Sequence, residues 1–256
     1  MQYVVCCVPV SPMRAAPSHK SEMVSQQLFG EKSTVIETGL EGWAKISLKY
    51  DKYEGWVQQS HLAEIDEEHF LKVDKDLTEN WINEVDYNGH MMMVPMGSSL
   101  SAFYNGRAFW RKNSVNFKGK VWNPEEVNIS PKLIKQLAFK FLNTSYLWGG
   151  KSVFGIDCSG FSQILYKFLN VRLPRDAWQQ AEQGEVVNFL QEAQCGDLAF
   201  FDNEENHIIH VGILLNDHEI IHASGKVRMD KIDTQGILNL ATKQRTHRLR
   251  IIKRYF

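Results

Sequence analysis

The chain has 256 residues, of which 43% are hydrophobic and 23% are charged, and its 29 basic and 30 acidic residues leave a net charge of -1. This length and composition are typical of a globular protein with two or three modules. A net charge near zero provides no broad field for a nucleic acid or an anionic membrane surface. We therefore expect neither as a partner.

The four cysteines are too few and too scattered for a disulfide framework in a chain of this length. We expect Cys6, Cys7 and Cys195 to be small structural residues. No stretch reaches the roughly 18 uninterrupted apolar residues that suggest a membrane span, and the start, MQYVVCCVPVSP, lacks the pattern of a signal peptide. These features favour a cytoplasmic location, or a periplasmic or secreted one if a signal peptide has been removed.

Two sets of short β signals fill the first half of the chain. Residues 1–63 contain β-branched and aromatic runs such as KSTVIETG and GWAKISLKY, separated by turn residues, which predict a small β-barrel. Residues 64–125 begin with an acidic, polar connection and continue with a second set of short strands. There the dipeptide Asn105-Gly106 predicts a hairpin turn, and we interpret this part as a second, divergent barrel.

From residue 126 the pattern changes to helices followed by strands. Ser130 and Pro131 are a typical helix N-cap and first-turn pair. A second helical period of apolar residues begins at about Cys158, in the stretch GIDCSGFSQILYKFL. The runs GDLAFF, HVGILL, EIIHAS and RLRIIKRYF then predict strands. Helices first and an antiparallel sheet afterwards indicate an α+β domain.

Cys158 is a candidate nucleophile because of its position at the start of a helix. Free backbone N–H groups and the positive end of the helix dipole favour the thiolate, which is the reactive form of cysteine. A nucleophilic thiol also needs a base and a group that orients the base. His210 and His222 end up side by side if the two strands that carry them are neighbours.

The remaining histidines are weaker candidates. His207 lies three residues before His210, so the two side chains point to opposite faces of an extended strand. That divergence, and the lack of a cysteine pair, argue against a zinc site in HIIH, and we expect no metal. We expect His207, His218 and His247 to be exposed or locally bonded.

Several motifs together resemble the catalytic domain of NlpC-type cysteine peptidases. They are YLWGG, DCSGF, GDLAFF, HVGILL and IIHASG, in that order. The resemblance implies that Cys158 is the nucleophile, His210 the general base and His222 the polar third residue. It also implies that the Tyr146 hydroxyl and the Cys158 backbone N–H stabilise the developing oxyanion.

The stretches PMRAAPS, LFGE and DKYEGWVQQSHL resemble bacterial SH3-like domains. The resemblance implies an α+β fold with a papain-like NlpC-type catalytic domain, preceded by two small SH3-like β-barrels. The corresponding domains are residues 1–63, 64–125 and 126–256.

This arrangement resembles the bacterial γ-D-glutamyl-L-diamino acid endopeptidases, which act on murein peptides. The resemblance implies a substrate of the form L-Ala-γ-D-Glu-diamino acid, a monomeric enzyme and no cofactor. Glu22, Tyr53 and Asp176 would bind the free ammonium group of L-alanine, and leaving such groups unpaired is costly. Ser159 and Arg175 are candidates for contacting the D-glutamate.

Two other functions remain open on the residues alone. An acyltransferase or amidase could use the same cysteine and histidines, because hydrolysis and transfer share the covalent intermediate. A non-catalytic cell-wall-binding protein could use the SH3-like modules alone. The intact set of Cys158, His210 and His222 argues against the second of these.

Overall fold

The computed structural model describes residues 2–101 and 103–256. It divides into two compact units, which are described separately below. The first unit contains the chain up to Val127 together with Trp148–Val153, and the second contains Asn128–Leu147 and Phe154–Phe256. An N-terminal SH3-like β region and a papain-like α+β domain are the fold that the sequence predicted.

The first unit begins with a sheet of seven short antiparallel strands. These strands are β1 Gln2–Cys6, β2 Val10–Arg14, β3 Met23–Leu28, β4 Lys32–Thr38, β5 Trp43–Leu48, β6 Glu54–Gln58 and β7 Leu62–Glu64. Their order in the sheet is β3-β2-β6-β5-β4-β1-β7. Met13, Ile46, Leu48 and Val57 of these strands form a small hydrophobic core.

One short helix and a second, smaller sheet complete the β-rich part of this unit. The elements are α1 Glu67–Leu71, β8 Leu77–Thr78, β9 Ile82–Tyr87, β10 His90–Pro95, β11 Arg107–Trp110, β12 Asn113–Phe117, β13 Val121–Trp122 and β14 Lys151–Ser152. Four strands form the sheet β10-β9-β12-β11, and β13 pairs with β8.

The two predicted barrels share one hydrophobic core. Its buried members come from both sheets and from α1: Val5, Phe29, Ala63, Ile65, Phe70, Val85, Val94, Leu100, Ala108, Trp110, Val115 and Phe117. The acidic, polar connection after residue 63 contains the short helix α1. Asp66 caps α1 by accepting a hydrogen bond from the His69 N–H at 2.7 Å. The helix then buries Phe70 in the shared core.

Both Asn-Gly dipeptides of the second sheet form turns with positive φ at each residue. Asn105 and Gly106 have φ of 49° and 74°, and the bridge between Tyr104 and Arg107 closes this turn. The predicted turn is therefore confirmed. The dipeptide Asn88-Gly89 also has positive φ at both residues and joins β9 to β10, a hairpin that the sequence analysis missed.

The segment Trp148–Val153 is held against β3 by backbone and side-chain contacts. The Lys151 N–H donates to Gln26 Oε1 at 2.9 Å, and Lys151 Nζ forms a buried ion pair with Glu31 at 3.0 Å. Gly149 has φ of 75°, and a Cβ there would lie 2.3 Å from the Met23 carbonyl oxygen. The second half of the YLWGG motif therefore packs on β3, and the Gly149 position excludes any larger residue.

The second unit contains three helices and a large antiparallel sheet. The elements are α2 Pro131–Phe139, β15 Gly155–Ile156, α3 Cys158–Phe168, α4 Ala177–Ala181, β16 Glu185–Val187, β17 Leu198–Asp202, β18 Ile208–Leu214, β19 Glu219–Ser224, β20 Lys226–Asp233, β21 Gly236–Leu238 and β22 Arg245–Arg254. Ser130 caps α2, and its Oγ accepts from the Leu133 N–H at 3.3 Å. The predicted helix starts at Pro131 and Cys158 are confirmed.

The sheet of the second unit closes on itself. Its strands follow the order β16-β22-β17-β18-β19-β20-β21, and β22 also pairs with β21. The inside of the sheet is filled by apolar residues, among them Phe201, Leu214, Ile220 and Ile237. Strands β18, β19 and β20 are consecutive neighbours, so side chains on one face of these three strands meet.

Candidate active site

Cys158 is the first residue of α3, and Asp157 is the N-cap of that helix. Asp157 Oδ1 accepts a hydrogen bond from the Gly160 N–H at 2.7 Å. The Cys158 N–H belongs to the first turn, where no intrahelical acceptor is available. This helix start therefore places a thiol and a backbone donor at the same point.

A buried guanidinium lies behind this helix start. Arg175 is 1% exposed and binds both oxygens of Asp157, with Nη1–Oδ1 at 3.1 Å and Nη2–Oδ2 at 2.6 Å. Its Nη1 also donates to Ser159 Oγ at 2.9 Å. A bidentate pair of this kind fixes the geometry of both partners. Arg175 and Ser159 thus orient the cap of α3, and their contact with a D-glutamate remains a prediction.

The two histidines predicted to lie side by side do so. His210 on β18 and His222 on β19 are both buried, and His210 Nε2 lies 2.8 Å from His222 Nδ1. His222 Nε2 in turn lies 3.0 Å from Asp230 Oδ2 on β20. The result is a continuous hydrogen-bonded chain across three neighbouring strands.

The carboxylate of Asp230 determines the direction of every hydrogen bond in this chain. Hydrogen bonds from His222, the Leu240 N–H and Arg228 outweigh burial and lower the pKa of Asp230, which is therefore ionised and accepts only. With a neutral imidazole, His222 donates from Nε2 to this carboxylate and accepts at Nδ1. His210 donates from Nε2 to that acceptor, which leaves its Nδ1 with a lone pair. The chain thus prepares His210 as a base.

Burial keeps both partners of the predicted catalytic pair neutral. It raises the pKa of the Cys158 thiol to about 12, with the Asp157 charge adding to the effect, while the Val211 N–H, Arg175 and the Ser159 N–H oppose it. Burial and the neighbouring His222 hold the pKa of His210 well below its usual value. Desolvation therefore outweighs the helix-start effect, which by itself favours the thiolate.

Gly212 makes room for the histidine pair. It lies two residues after His210 on the same face of β18. A Cβ at this position would lie 2.9 Å from His222 Cβ and 2.6 Å from Ile220 Cδ1. Non-bonded carbon atoms do not approach this closely, so a larger residue would displace the His222 side chain.

Tyr146 lies in the electrostatic neighbourhood of Cys158. Burial, with the charges of Cys158 and Asp157, raises the pKa of the Tyr146 phenol to about 12. Its backbone N–H donates to the Gly225 carbonyl at 3.0 Å, just past β19. The phenol therefore stays protonated and can donate a hydrogen bond.

Glu22, Tyr53 and Asp176, the residues predicted to bind the ammonium group, each have different neighbours. Glu22 is exposed, and its Oε1 accepts a hydrogen bond from Trp148 Nε1 at 2.6 Å. Tyr53 is partly buried and packs on the core of the first sheet. Asp176 is the N-cap of α4, and its N–H donates to Gln179 Oε1 at 3.2 Å. The binding role of these residues stays a prediction.

Asp230 is the site residue that the sequence analysis missed. It lies on β20, two residues after Arg228, so the two side chains share one face of the strand. His222 of β19 is opposite Arg228 in the register and faces the same side. The acidic residue between Met229 and Lys231 in the strand-like run KVRMDKID was the available signal. Such a carboxylate is buried only where it is paired.

His207 is exposed, whereas His210 is buried, so the HIIH pair diverges as predicted. Among residues 2–101 and 103–256, no group of three or more His, Cys, Asp or Glu side chains is arranged to hold a metal ion. Within the same residues, no helix is long and apolar enough to cross a membrane.

A cysteine at a helix start, with a strand-borne histidine that a second histidine orients, defines a papain-like cysteine hydrolase. Residues 143–246 match the model of the NlpC/P60 family, and residues 13–62 match that of the bacterial dipeptidyl-peptidase SH3 domain. A Haemophilus influenzae protein described as "Probable endopeptidase" is 34% identical over 113 residues, which cover 43% of this chain and 68% of that protein. The chain belongs to the NlpC/P60 family of cysteine peptidases, which act on peptidoglycan.

Two longer matches extend over most of the chain. A Bacillus cereus protein named gamma-D-glutamyl-L-lysine dipeptidyl-peptidase is 28% identical over 253 residues, covering 86% of this chain and 74% of that protein. The crystal structure of an NlpC/P60 family protein from Bacillus cereus ATCC 10987 has a TM-score of 0.82, with 19% identity and 99% of both chains covered. That structure shows the shared fold.

Proposed function

We propose that this protein is a cysteine endopeptidase that hydrolyses the γ-D-glutamyl-L-diamino acid bond of murein peptides. The observation that carries the proposal is the chain from Asp230 through His222 to His210, which leaves a base for Cys158. The Bacillus cereus relative, by its name, acts at a γ-D-glutamyl-L-lysine bond. We therefore include L-lysine among the diamino acids to be tested.

In the first half of the reaction the enzyme is acylated. Cys158 Sγ attacks the γ-carbonyl carbon of D-glutamate while the thiol proton moves to His210 Nδ1. The carbonyl electrons move to the oxygen, which the Tyr146 hydroxyl and the Cys158 N–H stabilise. The C–N bond then breaks, His210 returns the proton to the leaving amine, and a thioester remains.

In the second half, water releases the product. His210 Nδ1 takes a proton from water, and the water oxygen attacks the thioester carbon. Collapse of this intermediate breaks the C–S bond, frees the L-Ala-D-Glu carboxyl group and returns the proton to Cys158. Since both resting groups are neutral, each half-reaction couples bond formation to proton transfer.

We further propose that the substrate carries a free N-terminal L-alanine and that the enzyme recycles wall peptides in the cytoplasm. Glu22 and Asp176 provide carboxylates and Tyr53 a phenol, which suit an ammonium group. The support for these roles is the chemistry of the side chains and the resemblance to endopeptidases of this specificity. Single substitutions test each residue by the loss of preference for a free over an acetylated amine.

The direct test is digestion of L-Ala-γ-D-Glu-L-Lys and its diaminopimelate counterpart, followed by mass spectrometry. Wild type, Cys158→Ala and the matched control Cys195→Ala are compared, with N-acetylated peptides alongside. We expect wild type and Cys195→Ala to release L-Ala-D-Glu from the free peptides and not from the acetylated ones. Cys158→Ala should release none.

Other results would separate the competing functions. Cleavage of free and acetylated peptides alike would retain the peptidase and refute the amine preference. Transfer of the acyl group to an added amine, without hydrolysis, would indicate an acyltransferase or amidase. Binding of murein peptides by folded wild type with no turnover would indicate a wall-binding protein.

A further inference from the structure

His247 covers one face of the His210 imidazole. The two rings are stacked, with centroids 4.1 Å apart and an interplanar angle of 26°. His247 lies on β22, where it is opposite Ile237 of β21. The sequence analysis expected an exposed or locally bonded residue. The local bond is present, between His247 Nδ1 and Thr246 Oγ1 at 2.8 Å, but the ring also reaches the active site.

Two further rings limit the movement of this stack. Phe201 lies 5.9 Å from His247 and 5.7 Å from His210, measured between ring centroids. His222 is nearly perpendicular to both His247, at 86°, and His210, at 83°. The hydrogen bond to His222 fixes the edge of the His210 ring, while His247 restrains its face. Rotation of His210 about its side chain must therefore displace His247.

His247 provides this contact without adding a positive charge. Burial, together with the neighbouring His222, lowers the pKa of His247 to about 4, although Asp230 opposes the shift. The charged or titratable groups that face its ring are thus His210, His222 and Asp230. A neutral ring stacked on His210 is compatible with the imidazolium that forms when Cys158 gives up its proton.

We infer that His247 is a positioning residue for the general base, and that it acts as a neutral aromatic ring stacked on His210. It holds His210 Nδ1 in the orientation that accepts the thiol proton. The inference rests on the Cys158–His210 pair of the proposed function, but not on the identity of the peptide substrate.

The test measures alkylation of Cys158 by iodoacetamide between pH 4 and 9, followed by peptide mass spectrometry to exclude signal from other cysteines. His247→Phe keeps an aromatic ring without a titratable group, and His247→Leu removes the stack. His218→Ala, an exposed histidine, is the matched control. We expect the leucine variant to react roughly 2- to 12-fold more slowly at pH 7, the range of an aromatic stacking contact.

The pH profile distinguishes positioning from a merely structural role. Loss of the stack exposes His210 to water, so the acid limb of the alkylation profile should move to higher pH in His247→Leu. His247→Phe should keep the wild-type rate and limb. The inference is refuted if folded His247→Leu matches wild type in both rate and profile, or if His247→Phe fails as completely as His247→Leu.

The outcomes also separate this inference from the proposed substrate. If the alkylation pattern is as expected but no murein peptide is cleaved, the substrate assignment fails and the role of His247 stands. If His247→Leu does not fold, the comparison of His247→Phe with wild type still tests the inference. The inference requires the phenylalanine ring to preserve both the alkylation rate and its pH profile.

Discussion

Replacement of Asp230 by asparagine would reverse the hydrogen bonds of the catalytic chain. Asp230 Oδ1 accepts from Arg228 Nη2 at 3.0 Å and from the Leu240 N–H at 2.8 Å, while Oδ2 accepts from His222. Arg228 Nε also lies 2.9 Å from Oδ2, so two donors face each oxygen, whereas an amide has a single oxygen. The Leu240 N–H belongs to the backbone and cannot turn away, so the amide oxygen takes the Oδ1 position and the NH₂ group is turned toward His222. His222 must then accept at Nε2 and donate from Nδ1. This places a proton on His210 Nδ1, where the base needs a lone pair.

The size of the effect follows from the tautomer. The equivalent aspartate-to-asparagine change in a serine protease triad lowers kcat by about 10⁴ through the wrong tautomer. Here the effect passes through one additional ring, so we expect kcat for Asp230→Asn to fall by about 10² to 10⁴. Asparagine keeps the shape of the aspartate side chain, so the thermal midpoint of unfolding should change little while kcat falls.

The assay is hydrolysis of the free tripeptide, with iodoacetamide alkylation of Cys158 as a second measurement that needs no peptide. Asp233→Asn is the matched control, because Asp233 lies on the same strand, is only partly buried and is paired with Arg245. The control should retain wild-type kcat within about twofold, as surface substitutions usually have small effects. A folded Asp230→Asn enzyme with kcat within threefold of wild type would refute the tautomer argument.

Three further predictions concern the same site. Tyr146→Phe should lower kcat by roughly 10²- to 10³-fold with little change in KM, since the hydroxyl acts on the oxyanion; a folded variant with kcat within about threefold of wild type would contradict this. Gly212→Ala should lower kcat/KM at least about tenfold, because the new Cβ displaces His222 from its bond to His210, and a crystal structure with that bond intact and full activity would argue otherwise. As the pH is lowered past about 6.5, the usual histidine pKa, kcat/KM should not change, and it should fall only when the pH reaches the lowered pKa of His210. A fall in kcat/KM centred at the usual histidine pKa would show that the base is not desolvated.

Local sequence patterns predicted those parts of the fold that depend on neighbouring residues. The start of α3 follows from the Asp157 cap and the apolar period after it, and the hairpin at Asn105-Gly106 follows from backbone preferences at these two residues. Helix α1 in the polar connection after residue 63 was not predicted, because the burial of Ile65 and Phe70 there depends on both sheets.

The site was predicted in part for the same reason. Alternation along the strands separated His210 from His207 and directed His222 to the same face. The sequence alone could not show that Asp230 completes the chain, because this requires the register of β19 against β20. The stack of His247 on His210 joins β22 to β18, which are not adjacent in the sheet.

The sequence by itself thus determined the helix start at Cys158, the order of helices and strands, and the pair of histidines, because each depends on spacing over a few residues. Only the tertiary structure decided the charge state of the site. Burial raises the pKa of Cys158 and lowers that of His210, and Asp230 sets the direction of the hydrogen bonds that orient His210. Desolvation and hydrogen bonding between strands depend on what the fold brings together, and no local pattern records them.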